Sequence, residues 1–185
     1  MLFRSHRPVL AFMLPGMFSD QAALERSRSA LSAEVTQQFA AASFVLAAWG
    51  TSGAPRLFSR LEIHTPADLA RAKPWRWRDD VILPAFYTEA GARGVELSLP
   101  EVLGALQTGR IDTFVAPPYA AVALQWSSQV QFVSEGVNSY SVGGIVFRKP
   151  AVDSLPADQQ TLLREVIQQF SGLTNRNIAR DDENA

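Results

Sequence analysis

The sequence predicts an α/β fold, because strand-like and helix-like segments alternate along most of its 185 residues. Two strand candidates are short apolar runs, residues 43–49 and 111–115, each bounded by a turn or loop signal. The helix candidates begin at residues that cap helices well, namely Ser19, Thr65 and Ser98. This alternation favours parallel βαβ units with crossover helices.

The first half of the chain divides as follows. We expect residues 9–14, between Pro8 and Pro15, to form a buried strand or loop. A helix starts near Ser19, with an apolar face of Leu24, Leu31, Val35 and Phe39 at helical spacing. Beyond it we predict a fully buried strand at 43–49, a loop at 50–55, a helix from Thr65, a strand at 73–78, a helix at 80–90 and a strand at 94–97.

The second half starts from Ser98-Leu99-Pro100-Glu101, a capping box in which Ser98 and Glu101 satisfy each other's backbone amides. The predicted elements are then a helix at 102–108, strands at 111–115, 130–133 and 140–148, a helix at 119–126 and a long helix from 156 to about 182. Leu162, Leu163, Val166, Ile167 and Phe170 give the long helix its apolar face.

Composition excludes several classes of protein. Hydrophobic residues make up 47% of the chain and charged residues 19%, which is typical of a globular protein. A formal net charge of -1 argues against a nucleic-acid partner, and no apolar run is long enough for direct membrane insertion. With no cysteine and two distant histidines, the sequence predicts no metal site and no cofactor.

Catalytic motifs are weak. Gly50-Thr51-Ser52-Gly53 lacks the spacing of a nucleophile elbow, and no glycine-rich phosphate loop occurs. Asp79 and Asp80 could form a carboxylate pair, but adjacent acids before a helix are more often its cap and dipole partners. We therefore expect a protein that is not an enzyme.

The segment Lys73-Pro74-Trp75-Arg76-Trp77-Arg78 places two indoles on one strand face and two guanidiniums on the other. The indoles could pack in the core or form an aromatic wall, since ligands of open α/β sheets bind at the carboxyl ends of strands. An aromatic and basic surface for nucleic acid is a third interpretation, disfavoured by the balanced charge.

The segment Ala116-Pro117-Pro118-Tyr119 also follows a strand and opens a helix. It has two interpretations, simple helix initiation or presentation of Tyr119 to a ligand at the strand's carboxyl end.

The stretch from Leu99 to Asp112, with Ala105-Leu106-Gln107-Thr108-Gly109 at its centre, resembles the signature of TRAP-transporter solute receptors of the DctP-like family. Thr65-Pro66-Ala67-Asp68-Leu69 and the following Lys73 are similar to another motif of that family. The resemblance extends over residues 140–149 and the start of the long helix, so it covers the chain from about Val9 onward.

The resemblance implies a periplasmic-binding-protein-like, two-lobed fold of type II-like topology, with an incomplete N-terminal lobe in a truncated member. Residues 1–53 would be part of lobe I, 54–137 lobe II, 138–170 the return to lobe I and 171–185 the end of the inter-lobe helix. Closure on a ligand would hinge near Gly53 and Gly143-Gly144.

Two departures from the family motif bear on the ligand. Trp75 stands where the resemblance implies the carboxylate-binding arginine, and Ala116 where it implies a ligand-contacting asparagine. Neither side chain can make a bidentate, charge-assisted bond to a carboxylate. We therefore expect a flatter, aromatic or apolar ligand with Arg56 as its anion partner. The predicted ligand-binding residues are Arg56, Trp75, Trp77, Asp79, Ala116, Pro117, Tyr119 and Tyr140.

The function implied is that of a periplasmic receptor that passes a small organic ligand to the membrane subunits of a TRAP transporter. The alternative is a ligand-sensing domain of a regulator with the same architecture. An α/β enzyme is disfavoured by the missing catalytic motifs.

Overall fold

Helices and strands alternate in the computed structural model, which describes residues 7–78 and 80–185. The helices are α1 Arg7–Ala11, α2 Gln21–Ala41, α3 Pro66–Leu69, α4 Leu83–Glu89, α5 Val102–Gln107, α6 Pro118–Ala123, α7 Lys149–Asp153 and α8 Ala157–Asn184. The strands are β1 Phe44–Thr51, β2 Arg56–Ser59, β3 Trp75–Arg76, β4 Val95–Glu96, β5 Thr113–Ala116, β6 Phe132–Val133 and β7 Val142–Arg148. Short 3-10 turns lie at Leu99–Glu101 and Ser127–Gln129.

The chain divides into two units. Unit 1 consists of Met1–Gly53 and Tyr140–Asp181, and unit 2 of Ala54–Ser139 and Asp182–Ala185. Gly53, the last residue of the first segment, has a φ of 107°, a backbone conformation that a residue with a Cβ rarely adopts.

Unit 1 is built on an antiparallel pair of strands. β1 and β7 pair from Phe44↔Arg148 to Thr51↔Val142, with an irregularity between Leu46 and Ala48. β1 is half-buried along its whole length, so the prediction of a fully buried strand is wrong. A parallel neighbour covered on both faces would give full burial, whereas this strand lies in an antiparallel pair.

Helix α2 differs from the sequence prediction in one buried position. Leu24, Val35 and Phe39 are buried as expected, but Leu31 is exposed and Arg28 is buried instead. The guanidinium of Arg28 lies 5.3 Å from the ring centroid of Trp49, close enough for a cation–π interaction. A long side chain can thus bury its stem where the apolar pattern predicts only aliphatic residues.

The N-terminal part of unit 1 also requires correction. Residues 7–11 form a helix rather than a strand or loop, with Val9 buried in it and Phe12 buried just beyond it. The N-cap of α2 is Asp20, whose Oδ1 accepts from the Ala23 amide at 2.7 Å. Ser19 donates to Asp20 instead of capping the helix itself.

Unit 2 contains a mixed sheet. β2 pairs antiparallel with β5 and β6, β3 pairs parallel with β4, and a parallel bridge between Pro74 and Thr113 joins the two groups. The strand order is therefore β4-β3-β5-β2-β6. β3, α4 and β4 form the predicted parallel βαβ unit, but the antiparallel β2 contradicts the expectation that the units are parallel throughout.

The core of unit 2 is rich in aromatic side chains. Phe58 and Phe114 stack with ring centroids 5.0 Å apart, and Trp126 meets Phe114 edge-on at 5.4 Å. Full burial of one large apolar side chain contributes about 1.5–3 kcal/mol. The buried cluster consists of Phe58, Trp75, Leu97, Val102, Ala105, Leu106, Ile111, Phe114, Ala116, Ala121 and Trp126.

The turns of unit 2 follow the sequence closely. The predicted Ser98–Glu101 capping box is confirmed, and Thr65 caps its helix as predicted, forming a second capping box with Asp68. Gly109 ends the turn after α5 with a φ of 70°, as a helix C-terminus favours. The carboxylate of Asp112 accepts from the Lys73 backbone amide at 2.7 Å, so the last residue of the Leu99–Asp112 stretch binds the last residue of the other family-like motif.

Helix α8 spans the predicted long helix, but most of its apolar face is uncovered. Ile167 is buried, whereas Leu162, Val166 and Phe170 are each more than half exposed. Within the described residues, no helix combines the length and the apolarity needed to cross a bilayer.

Candidate functional site

One edge of the unit 2 sheet gathers most of the predicted site residues. β3 and β5 run parallel, so their carboxyl ends meet there, and β2 runs antiparallel, so its start joins them. Arg56, the first residue of β2, is the register partner of Ala116, the last residue of β5. Ligands of open α/β sheets bind at such an edge.

Arg56 is half-buried and held in place by backbone carbonyls. Its Nη1 donates to the carbonyl oxygen of Ser134 at 3.0 Å and also to that of Glu135. Both bonds come from Nη1. Among the described residues, Nε and Nη2 have no protein acceptor. Nε and Nη2 together carry three N–H groups, which is enough for a bidentate bond to a carboxylate.

Trp75 lies in the core. Its side chain is 6% exposed, and its Nε1 donates to the carbonyl of Leu97 at 3.1 Å. Its ring meets that of Trp126 edge-on at 5.3 Å. Of the two interpretations of this indole, the contacts support core packing, and contact with a ligand stays a prediction.

Trp77 is the more exposed indole of the pair, with 38% of its surface accessible. Its ring centroid lies 5.8 Å from that of Trp75, as expected for two residues on one strand face. The exposed ring of Trp77 thus lies against the buried ring of Trp75.

The predicted strand at 73–78 is wrong in extent, because β3 contains only Trp75–Arg76 and Arg78 lies in a turn. The two guanidiniums of this segment nevertheless share one carboxylate. Arg76 contacts Glu96 Oε2 at 2.7 Å and Arg78 contacts Glu96 Oε1 at 3.2 Å, so one carboxylate pairs with both guanidiniums. Sequence reasoning missed Glu96, because its partners lie on a neighbouring strand that no local pattern identifies. The carboxylate of Glu96 thus offsets one of the two positive charges of Arg76 and Arg78.

Ala116, Pro117 and Tyr119 lie together at the turn from β5 into α6. Ala116 is buried, Pro117 is the N-cap residue and Pro118 begins the helix. The Tyr119 amide donates to Asp182 Oδ1 at 3.2 Å. Asp182, near the end of α8, was not predicted, because it is distant in sequence from the turn.

Asp79 lies outside the described residues. Its neighbour Asp80 accepts from the amides of Ile82 and Leu83 at 2.8 Å and 3.3 Å. Asp80 therefore binds backbone amides just before and at the start of α4, although the N-cap residue of that helix is Ile82, which makes no side-chain capping bond.

Tyr140 belongs to unit 1, whereas the other described candidates belong to unit 2. It is 8% exposed, and burial together with the nearby carboxylate of Asp20 raises the pKa of its hydroxyl. Its role in ligand binding stays a prediction. Among residues 7–78 and 80–185, no cluster of three or more histidine or acidic side chains is placed to hold a metal ion.

Comparison with known proteins identifies the family. Residues 5–185 match the DctP family, described as bacterial extracellular solute-binding protein, family 7. Because this match spans nearly the whole chain, the chain belongs to that family of solute-binding proteins. No curated protein matches significantly.

The fold is that of TRAP periplasmic solute-binding proteins, which confirms the predicted fold class. A TRAP periplasmic solute-binding protein of Shewanella oneidensis, with bound succinate, is 21% identical with a TM-score of 0.87, and the match covers 98% of this chain and 59% of that one. One from Pseudomonas aeruginosa, with bound L-malate, is 19% identical with a TM-score of 0.85 and coverages of 97% and 62%. One from Desulfovibrio salexigens, with bound orotic acid, is 18% identical with a TM-score of 0.81 and coverages of 95% and 57%.

The chain thus spans about 60% of the length of the solved structures that it resembles.

Proposed function

We propose that this chain acts as an extracytoplasmic, periplasmic receptor for a small organic acid and that it serves a TRAP-type transporter. Membership of the solute-binding family supports the receptor role. The proposed activity is reversible binding without a chemical step, and the proposed partners are the ligand and the membrane subunits of the transporter. The segments of the predicted lobes, 1–53 with 138–170 and 54–137, with 171–185 ending the inter-lobe helix, belong to this proposal.

The observation that carries the proposal is the arrangement at the sheet edge of unit 2. Arg56 offers a guanidinium fixed by the carbonyls of Ser134 and Glu135. Trp77 offers an exposed indole supported by the buried ring of Trp75. A cation with free donors and a flat apolar surface suit a ligand that has one carboxylate and a planar body.

The pairing of Glu96 with Arg76 and Arg78 narrows the proposed ligand further. A dicarboxylate requires a second cation, and Glu96 offsets one of the two positive charges of Arg76 and Arg78, which weakens this pair as a second anion partner. A second ligand carboxylate at this edge would lose hydrating water without gaining a cationic partner, which is unfavourable. We therefore propose a monocarboxylate with an aromatic or apolar body rather than a dicarboxylate such as succinate.

A thermal-shift assay on the 185-residue chain tests this proposal. Orotate, an aromatic monocarboxylate, is compared with succinate and L-malate at matched concentrations. A ligand at one hundred times its dissociation constant adds about 2.7 kcal/mol of stability, which raises the melting temperature by several degrees. Stabilisation by orotate alone supports the proposal. Stabilisation by succinate or L-malate alone refutes the proposed ligand class, and no response to any of the three acids counts against the receptor role.

A further inference from the structure

The start of helix α6 has no N-cap side chain that accepts a hydrogen bond from its first backbone amides. A helix leaves its first amides without intrahelical acceptors, and an N-cap side chain such as serine or aspartate normally accepts from one of them. Here the N-cap is Pro117, which has no side-chain acceptor, and Pro118 follows it. Tyr119 is therefore the first residue of α6 that has an amide hydrogen to satisfy.

Asp182 supplies that acceptor from a distant part of the chain. Its Oδ1 accepts from the Tyr119 amide at 3.2 Å, while its Oδ2 accepts from the Ala54 amide at 2.7 Å. Each carboxylate oxygen thus binds one backbone amide, and both bonds are charge-assisted. The three residues all belong to unit 2.

The two amides belong to segments that shape the candidate site. Ala54 precedes Arg56 by two residues. The backbone amide of Asn138 further fixes this segment by donating to the Pro55 carbonyl at 2.7 Å. Tyr119 is itself a candidate ligand contact in the turn after Ala116. The carboxylate therefore ties the segment that leads into Arg56 to the segment that presents Tyr119.

We propose that Asp182 is a positioning residue of the candidate ligand site, acting as a remote N-cap of α6 that fixes Tyr119 relative to the Ala54–Arg56 segment. Asp182 acts through these backbone groups and does not itself contact the ligand. Its effect on ligand affinity rests on the proposed function, whereas its effect on the two amides does not.

Substitution of Asp182 tests the proposal, with Asp181 as the matched control. Asp181 is the adjacent residue of the same helix, and its carboxylate pairs with Arg180 at 3.2 Å. The variants are Asp182→Ala and Asp182→Asn, compared with Asp181→Ala and Asp181→Asn in the 185-residue chain. Asparagine keeps one acceptor oxygen but loses the second acceptor and the charge, so its effect should fall between those of aspartate and alanine.

The first measurement is amide hydrogen exchange. Asp182→Ala should accelerate exchange at Ala54 and Tyr119 by roughly tenfold, with no matching change at the core amide of Phe114. The Asp181 variants should leave all three amides unchanged. Unchanged exchange at Ala54 and Tyr119 in Asp182→Ala would overturn the proposal.

The second measurement is the dissociation constant for orotate. Asp182→Ala should weaken orotate binding by about tenfold, because Tyr119 and the Ala54–Arg56 segment are no longer held in fixed positions. Asp181→Ala should leave the dissociation constant unchanged. Faster exchange with unchanged affinity would overturn the positioning role, and tighter binding would show that the carboxylate competes with the ligand. If the unsubstituted chain binds no acid, the proposed function fails, and the exchange measurement still decides whether Asp182 caps α6.

Discussion

The indole Nε1 of Trp75 donates a hydrogen bond to the backbone carbonyl of Leu97, 3.1 Å away. Trp75 lies in β3 and Leu97 directly follows β4, so this bond fastens the two parallel strands beyond their backbone ladder. The indole also packs edge-on against Trp126. Trp75 therefore stabilises unit 2 as well as supporting the exposed ring of Trp77.

Truncation of Trp75 should destabilise the protein strongly. Trp75→Ala should lower the free energy of unfolding by roughly 3–5 kcal/mol, because it removes a buried aromatic side chain and leaves a cavity. Trp75→Phe should cost less, since it keeps a ring but leaves the Leu97 carbonyl without the indole donor. Urea denaturation measures both. A loss below about 1 kcal/mol for Trp75→Ala would contradict the core role.

Replacement of Arg56 should separate ligand binding from stability. Arg56→Lys loses the planar fork that can hold two carbonyls and still face a carboxylate, so orotate affinity should fall at least about tenfold. Arg60 provides the matched control, because its guanidinium also donates to two carbonyls, those of Gln129 and Leu106. It lies just beyond the far end of β2.

Arg60→Lys should cost a similar amount of stability, about 1–2 kcal/mol, with unchanged orotate affinity. Equal loss of affinity in both variants would show that the effect of Arg56 is structural rather than a contact with the ligand.

The pairing around Glu96 should add little to stability. Arg78 is largely exposed, and Arg76 and Glu96 are about one-third exposed. Ion pairs of this kind contribute about 0–1 kcal/mol, so Glu96→Gln should shift the unfolding midpoint only slightly. The same substitution removes the negative charge that Arg76 and Arg78 share, so it should raise succinate affinity, as measured by calorimetric titration. Unchanged succinate binding would contradict the argument that Glu96 disfavours dicarboxylates.

The free energy of unfolding should depend on pH in acidic solution, because of the carboxylates of Asp20, Asp68 and Glu101. The hydroxyl of Thr65 lowers the pKa of Asp68, that of Ser98 lowers the pKa of Glu101, and the Ala23 amide lowers the pKa of Asp20. A carboxyl whose pKa is lower in the folded state stabilises the fold above its unfolded pKa, near 4, and this contribution is lost as the pH falls through the folded pKa.

Urea midpoints between about pH 6 and pH 2 check this dependence, with Asp68→Asn as the comparison. The acid-induced decrease should be smaller in Asp68→Asn than in the unsubstituted chain. An identical decrease in both would show that the Thr65–Asp68 capping box contributes nothing to it.

Local sequence signals predicted the elements whose causes are local. The capping boxes of Thr65 and Ser98 and the turn at Gly109 depend on residues within a few positions of one another, so their structures follow from short patterns. The alternating pattern of residues 73–78 predicted a strand there, but the strand is limited to Trp75–Arg76. The candidate site at the carboxyl ends of β3 and β5 rests on similar local signals and stays a prediction.

Features that depend on distant contacts could not be predicted in this way. The antiparallel course of β2 depends on partners from β5 and β6, and the burial of Arg28 depends on Trp49 from another element. Glu96 meets Arg76 through the pairing of β3 with β4, and Asp182 reaches the Tyr119 amide from the end of α8, so both contacts join residues that are distant in sequence. Single-sequence patterns contain no information on such pairings.

The most direct test of the receptor proposal is calorimetric titration of orotate into the unsubstituted chain, Trp77→Ala and Phe132→Ala. Phe132 is the matched control, because it is 39% exposed, close to the 38% of Trp77, and it pairs with Ser59 at the far end of β2. We expect Trp77→Ala to weaken orotate binding by at least about tenfold and Phe132→Ala to leave it unchanged. Equal affinity in all three proteins, or no binding by any of them, would contradict the proposed receptor role of this aromatic surface.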